Sequence, residues 1–307
     1  MQVAVIDVGS NSIKLLVASR APDGGIAEEA SRVLEVRIGG GLGSERPRLA
    51  PEAIERAVGA VARLAGEARR LGAGRIVAAA TSAVREAENA RQFLEGVRAA
   101  TGLEVRVLTG PEEAALIGRG LATDPALGQL RDFHVYDLGG GSLECLAFRD
   151  RRVARAVSLP LGCVRLTERF VARPAEAFAE SNAAAIRAHV RGVLLGSGFE
   201  LPVPPGFTVV GTGGTLTTVR AVEAAGRGVS FGQSSPVVGV DLLRRLLSEL
   251  GRLGLAERRG VPGLPPGRAD VFPAALVTLL ELAELGAIRA FHHSLRNLRW
   301  GLADEVL

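Results

Sequence analysis

The short apolar run Val3–Ile6, a polar stretch Asp7-Val-Gly-Ser-Asn-Ser12 and the apolar run Ile13–Ala18 predict strand, turn, strand at the start of the chain. The arrangement returns as Phe133–Tyr136, Asp137-Leu-Gly-Gly-Gly-Ser142 and Leu143–Phe148, an internal repeat of D-x-G-x-x-S. Such a repeat predicts two related domains, each opening with a hairpin whose turn faces a shared cleft. Between the hairpins, Ile54, Val58, Val61, Leu64 and Ala68 recur at helical spacing, predicting an amphipathic helix from Pro51 to Leu71 that stops at Gly72. A strand is predicted over Arg75–Ala80 and a helix from the Thr81–Arg85 turn to about Ala100. A strand over Glu104–Leu108 and a helix from Thr109-Gly-Pro111 to Leu121 follow. Alternating strands and helices make the class α/β. Further on come helices over 174–196, a strand at Phe207–Val210, a glycine turn Gly211–Thr215 and a helix from Leu216. The last elements are helices over Ala269–Leu285 and Leu295–Glu305.

Composition narrows the class. The 307 residues are 47% hydrophobic and 23% charged, which excludes disorder and fibrous repeats and suits about two domains. With 37 basic and 33 acidic residues the net charge is +4, too slight to argue for nucleic acid. Lys14 is the only lysine, so it stands out among arginines. Cys145 and Cys163 form no CxxC pair and read as reduced thiols, which together with a first segment unlike a signal peptide predicts a cytoplasmic protein. The apolar stretch Val271–Ile288 is broken by Pro273, Glu281 and Glu284 and reads as a helix of a soluble core, without membrane contact. His134 and His189 are isolated, and His292-His293 lack metal-site spacing. No Walker loop, nucleophile elbow or Cys-His pair is present.

A turn of Gly9, Ser10, Asn11 and Ser12 lets backbone amides approach an anion. Asp7 could hold a divalent cation or its water, and Lys14 could reach a phosphate as a mobile point charge. The repeat at Asp137–Ser142 and the third turn at Gly211–Gly214 strengthen the case for phosphate cradles over ordinary hairpin turns. Thr109-Gly-Pro-Glu112 fits a capping box, which gives Glu112 a structural task. Glu113 has no such task, although a carboxylate in a first helical turn serves equally as a partner of the helix dipole. Arg85 stands at a strand-to-helix junction, where a guanidinium can grip phosphate bidentately or simply sit on the surface.

Three glycine turns after strands resemble the sugar kinase, Hsp70 and actin superfamily. More closely, the chain resembles the exopolyphosphatase and guanosine pentaphosphate phosphohydrolase family. The stretches that carry this are Val5–Ser12, Arg37-Ile-Gly-Gly-Gly-Leu42, Ala80-Thr-Ser-Ala-Val-Arg85 and Leu108-Thr-Gly-Pro-Glu-Glu-Ala114. They continue as Asp137-Leu-Gly-Gly-Gly-Ser-Leu-Glu144, Leu159-Pro-Leu-Gly162, Gly211-Thr-Gly-Gly-Thr215 and Arg268-Ala-Asp270, in family order across nearly the whole chain. Leu143 departs from the threonine frequent in the second turn, and Trp300 stands at a commonly acidic position of the tail.

The resemblance implies two actin-like ATPase (ribonuclease H-like) domains with an interdomain cleft, placed at about residues 1–122 and 123–307, the last helix packing back on the first domain. It implies that Glu113 is the catalytic base and that Glu144 holds a cation or shares the attacking water. Phosphate binding falls to Gly9, Ser10, Asn11, Ser12, Lys14, Arg85, Gly139, Gly140, Gly141, Ser142, Gly211, Gly213 and Gly214. Asp7, Asp137 and Glu144 are the expected ligands of Mg2+, or of another divalent cation such as Mn2+. Arg268 and Asp270 also match the family pattern and could equally form an interdomain ion pair. The expected activity is an exopolyphosphatase releasing terminal orthophosphate from polyphosphate, with guanosine pentaphosphate hydrolysis as the close alternative. A sugar-kinase-type transferase and a non-catalytic sensor of guanosine tetraphosphate or polyphosphate are the rivals from other classes, and a homodimer is compatible with the family.

Overall fold

The structure, a computed structural model, describes residues 2–307. They form two compact units, one comprising residues through Gly128 together with Arg296–Leu307, the other Gln129–Leu295.

The first unit runs β1 (Gln2–Val8), β2 (Ser12–Arg20), β3 (Ile26–Glu35), α1 (Pro51–Arg70), β4 (Arg75–Ala80), α2 (Ser82–Glu86), α3 (Ala90–Thr101), β5 (Val105–Val107) and α4 (Gly110–Ala122). Its sheet has the order β3-β2-β1-β4-β5, with β1 antiparallel to β2 and parallel to β4. β1 is central and buried on both faces, which is why its sequence is an almost unbroken apolar run. Ala4, Ile6 and Val8 point into a core shared with Val61 and Leu64 of α1 and Phe93 and Val97 of α3. The helix predicted to run unbroken to Ala100 is instead two, because the side chain of Asn89 bonds both the N–H and the carbonyl of Leu49 (2.8 and 2.9 Å) and pulls the chain out of helical register. β3 escaped the sequence reading: it is an edge strand rich in Glu and Arg, with little apolar alternation.

The second unit runs β6 (Phe133–Leu138), β7 (Leu143–Arg149), β8 (Arg152–Leu159), α5 (Cys163–Phe170), α6 (Glu180–Gly196), β9 (Thr208–Thr212), α7 (Gly214–Gly226), β10 (Val237–Gly239), α8 (Val240–Gly251), α9 (Leu255–Arg259), α10 (Phe272–Leu285) and β11 (Ala290–His293). Its sheet order is β10-β11-β9-β6-β7-β8. Read from the β8 edge, three antiparallel strands are followed by parallel β9 and β11, the same topology as in the first unit plus one strand. Two sheets with this repeated topology are actin-like, ribonuclease H-like α/β folds. One face of the second sheet, with Tyr136, Leu138, Leu143 and Cys145, packs into the core that holds Ile186, Leu243 and Leu276.

The final helix, α11 (Leu298–Val306), belongs to the first unit and crosses α4 at backbone contact. A Cβ added to Gly301 would lie 1.9 Å from the Leu116 carbonyl, and one on Gly120 would lie 2.1 Å from the Asn297 carbonyl. Only glycine at both positions permits this crossing. Arg119 completes the contact by pairing with Asp304 at 2.7 Å. Among the described residues no helix is long and apolar enough to cross a membrane.

Candidate active site

In the first unit, the β1–β2 turn is closed by the Gly9 N–H donating to the Ser12 carbonyl at 3.1 Å. The Arg37–Leu42 stretch lies against it: the Asn11 carbonyl accepts from the Val36 and Arg37 amides (3.2 and 2.9 Å), and the Ser10 carbonyl accepts from Gly39 (2.8 Å). Gly39 approaches so closely that a Cβ would lie 2.6 Å from Ser10 Cβ. These bonds consume the turn's carbonyls. Asp7 and Asn11 are each only 5% exposed. Asp7 Oδ1 and both polar atoms of the Asn11 side chain are buried without a hydrogen-bond partner. Buried polar groups are nearly always satisfied, so these three atoms mark a place that a polar partner fits. Lys14 stands opposite Asp7 in the antiparallel register and is half-buried.

Arg85 lies on α2, and its guanidinium turns toward the start of α4. Nη1 donates to the Leu108 carbonyl at 2.8 Å and to Glu113 Oε2 at 2.9 Å. Glu113 is 6% exposed, one position beyond the capping residue. The capping box forms as the sequence indicates: Glu112 Oε2 accepts from the Thr109 amide at 2.8 Å, while Thr109 Oγ1 caps the Glu112 amide at 3.3 Å. The hydrogen bonds from the Thr109 amide and hydroxyl, and then that from Arg106, hold Glu112 down at about 2. Ser82, at the start of α2, shares a hydrogen bond of 3.1 Å with Ser10. The structure thus links the first glycine turn, Arg85 and Glu113 through one short helix.

In the second unit the repeat recurs in detail, with Gly139 N–H donating to the Ser142 carbonyl at 3.0 Å. The Leu159–Gly162 stretch and the start of α5 clamp this turn, the Cys163 and Val164 amides donating to the Gly139 and Gly140 carbonyls (3.0 and 2.8 Å). A Cβ on Gly162 would lie 2.2 Å from the Gly141 carbonyl carbon, so the second glycine motif is a packing requirement of the first. Asp137 and Glu144 are directly opposite across β6 and β7 and share the face turned away from the helix core. Their exposures are 7% and 2%. Ser158 donates to Glu144 Oε1 at 2.8 Å from the next strand. The repeat therefore places Lys14 and Glu144 at equivalent positions, giving a mixed-charge pair in one unit and a doubly acidic pair in the other.

The third turn ends β9. Gly213 has φ +90°, a conformation that favours glycine, and a Cβ there would lie 2.1 Å from Asp137 Oδ1. Gly211 packs on Leu216, and Gly214 begins α7. Arg268 is 8% exposed, with Nη1 2.1 Å from where a Gly214 Cβ would stand and Nε lacking a partner. Sequence reasoning missed Arg165, whose Nε donates to the Gly141 carbonyl at 3.0 Å, and Ser82 and Ser158. Arg165 carried a signal, since it follows the Leu159–Gly162 motif by one helical turn.

Among the described residues no group of three or more His, Cys, Asp or Glu could hold a metal ion alone. Asp7 in the first unit, and separately Asp137 with Glu144 in the second, offer the hard oxygen donors that a divalent cation such as Mg2+ takes alongside waters and phosphate oxygens. Within the second unit the Asp137 and Glu144 carboxylates face one another across β6 and β7, an arrangement that a bound cation would favour, and in the first unit Asp7 Oδ1 is buried without a hydrogen-bond partner. A cavity of about 820 Å³ between α6, α8 and α10 contains none of these residues.

Two actin-like folds with glycine turns and buried carboxylates suit phosphoryl chemistry, and likeness to known exopolyphosphatases makes the chain a phosphoanhydride hydrolase. Residues 18–307 match the Ppx/GppA phosphatase family, and the chain belongs to that family. It is 33% identical over 296 residues to Exopolyphosphatase 2 of Mycobacterium tuberculosis, covering 92% of this chain and 90% of that protein. The Ppx/GppA family member of Aquifex aeolicus superposes with a TM-score of 0.77 at 28% identity, covering 100% of this chain and 97% of that one. An exopolyphosphatase from Cytophaga hutchinsonii shares the fold with a TM-score of 0.87 at 22% identity, covering 100% and 99%.

Proposed function

We propose that this chain is an exopolyphosphatase that removes terminal orthophosphate from inorganic polyphosphate with Mg2+. The observation that carries the reading is the buried Glu113 carboxylate held by Arg85 on the helix that also touches the first glycine turn. The exopolyphosphatase relative supports the choice of substrate.

In this mechanism Glu113 orients a water and accepts its proton as the water oxygen attacks the terminal phosphorus. The bond from that phosphorus to the bridging oxygen breaks, orthophosphate leaves, and the chain shortens by one phosphate. Lys14, Arg85, Asn11 and the amides of Gly9–Ser12 neutralise the transferred group, whose charge spreads over its equatorial oxygens. Gly139–Ser142 and the Gly211–Gly214 turn bind further phosphates in the same way. Asp7, Asp137 and Glu144 are the residues that would hold Mg2+, which supplies charge neutralisation on phosphate oxygens when bound.

Incubation with end-labelled polyphosphate and Mg2+ tests this. Stepwise loss of label as orthophosphate is expected. Release from guanosine pentaphosphate alone would replace the substrate assignment, and release from neither would remove the catalytic reading.

A further inference from the structure

We infer that Arg220, His293 and Thr217 form a one-way hydrogen-bond relay that fixes the Gly213–Gly214 peptide, and thereby aims the Gly214 N–H at an anionic phosphoryl group of the substrate. The identity of that anion rests on the function proposed above; the relay itself does not.

Gly213 needs such a restraint. Its φ of +90° is a conformation that glycine adopts without a side chain to hold it there, and the Asp137 carboxylate leaves no room for one. The Gly213 carbonyl accepts from Thr217 Oγ1 at 2.9 Å and from the Thr217 amide at 3.3 Å. A trans peptide is a rigid plane, so holding the Gly213 oxygen holds the Gly214 N–H pointing the opposite way. That N–H is among the first of α7, which have no partner within the helix. Arg268 lies over the same glycine.

Since the Thr217 hydroxyl spends its hydrogen on Gly213, its oxygen must accept from elsewhere. His293 Nε2 lies 3.2 Å away. The other ring nitrogen, Nδ1, lies 3.1 Å from Arg220 Nη1. A guanidinium only donates, so Nδ1 accepts and the ring proton is on Nε2. Each donor then points toward Gly213.

Arg220 is itself rigidly seated. It is 7% exposed, donates from Nε and Nη2 to Ser234 Oγ (3.2 and 3.0 Å) and from Nη2 to the Ser234 carbonyl (2.9 Å), and lies over the Phe231 ring at 4.4 Å. No carboxylate pairs with it among the described residues. A buried cation spent on neutral acceptors is costly for a core that needed only volume, and here it serves to fix an imidazole. Burial and the adjacent Arg220 charge depress His293 to about 3, so the ring remains neutral at physiological pH. His293 is anchored in turn by β11, its N–H donating to the Pro236 carbonyl at 2.7 Å beside Gly211 of β9.

His293 is therefore a positioning residue, and two measurements on the full chain test it. Long-range 1H–15N spectra of histidine-labelled protein, with His293 assigned by its loss in His293→Gln, are expected to show a neutral ring protonated on Nε2 near pH 7. A ring protonated on Nδ1, or charged, would overturn the relay even if a variant folds poorly. In kinetics with polyphosphate, His293→Phe is expected to raise KM about five- to tenfold, the loss of a hydrogen bond, while kcat stays within about twofold. His293→Gln can donate to Thr217 and accept from Arg220, and is expected to recover most of the KM. Unchanged KM in His293→Phe, or an equal loss in both variants, would refute the positioning role. Absence of any phosphate release by the wild type would defeat the proposed function, while the spectra still decide the relay.

Discussion

Arg85 and Glu113, on helices α2 and α4, meet with Nη1 donating to Oε2 at 2.9 Å, and the same Nη1 is anchored on the Leu108 carbonyl at 2.8 Å. This guanidinium fixes the carboxylate through Nη1 alone. An arginine read from sequence as a phosphate ligand is therefore also the orienter of the proposed base. In Arg85→Lys the compact ammonium would lack the planar guanidinium's further donors for phosphate while Nη1 holds Glu113. We expect kcat to fall at least about tenfold and KM for polyphosphate to rise, with Glu113→Gln and the double variant showing a less than additive loss. Fully additive losses in steady-state kinetics would separate the two residues.

The opposed carboxylates of Asp137 and Glu144 make a second prediction. Asp137→Asn removes one of two buried like charges. Thermal denaturation in chelator is expected to show the variant at least as stable as the wild type, because the repulsion is relieved. Mg2+ is expected to raise the wild-type Tm more than that of the variant, and the Mg2+ concentration for half-maximal phosphate release to rise about tenfold or more. Equal Mg2+ responses would take Asp137 out of cation binding.

The crossing of α4 and α11 positions the helix that carries Glu113. In Gly301→Ala the new Cβ would meet the Leu116 carbonyl at 1.9 Å, closer than any side chain can sit. The helices must separate, at an overpacking cost of about 1–3 kcal/mol. Chemical denaturation with a helix-sensitive probe checks the loss, and a wild-type midpoint would contradict the packing described.

Acid stability reports on Glu112, whose carboxylate falls from 4.5 to about 2 on accepting from the Thr109 amide and hydroxyl and from Arg106. A depressed acid contributes stability that is fully present above its unfolded value and is lost as pH drops through its folded one. The advantage of wild type over Glu112→Gln should thus be constant above about pH 5 and close progressively toward pH 2. A gap independent of pH would assign the effect to capping geometry without charge.

The features legible in the sequence were those written locally. The glycine turns, the D-x-G-x-x-S repeat and the Thr109–Glu112 capping box each lie within a few residues and have a direct conformational cause. Contacts across the fold were not legible. Nothing near Arg85 indicates that Glu113 will be its partner, and Arg220 on α7 and His293 on β11, the latter weighed in the sequence only as a metal ligand, meet only once the sheet brings them together. Edge strands β3 and β8 were obscured because one side of each faces solvent and carries charge, which erases the apolar alternation. Gly120 and Gly301 lie inside helices, where glycine is intrinsically unfavourable, and their purpose becomes visible only where two backbones touch.

The most direct test of the central claim is orthophosphate release from polyphosphate with Mg2+ by wild type and Glu113→Gln, with substrate binding measured alongside. The account predicts steady release by the wild type, reduced about a hundredfold or more in the variant, with binding nearly unchanged. Turnover by Glu113→Gln at the wild-type rate would contradict it.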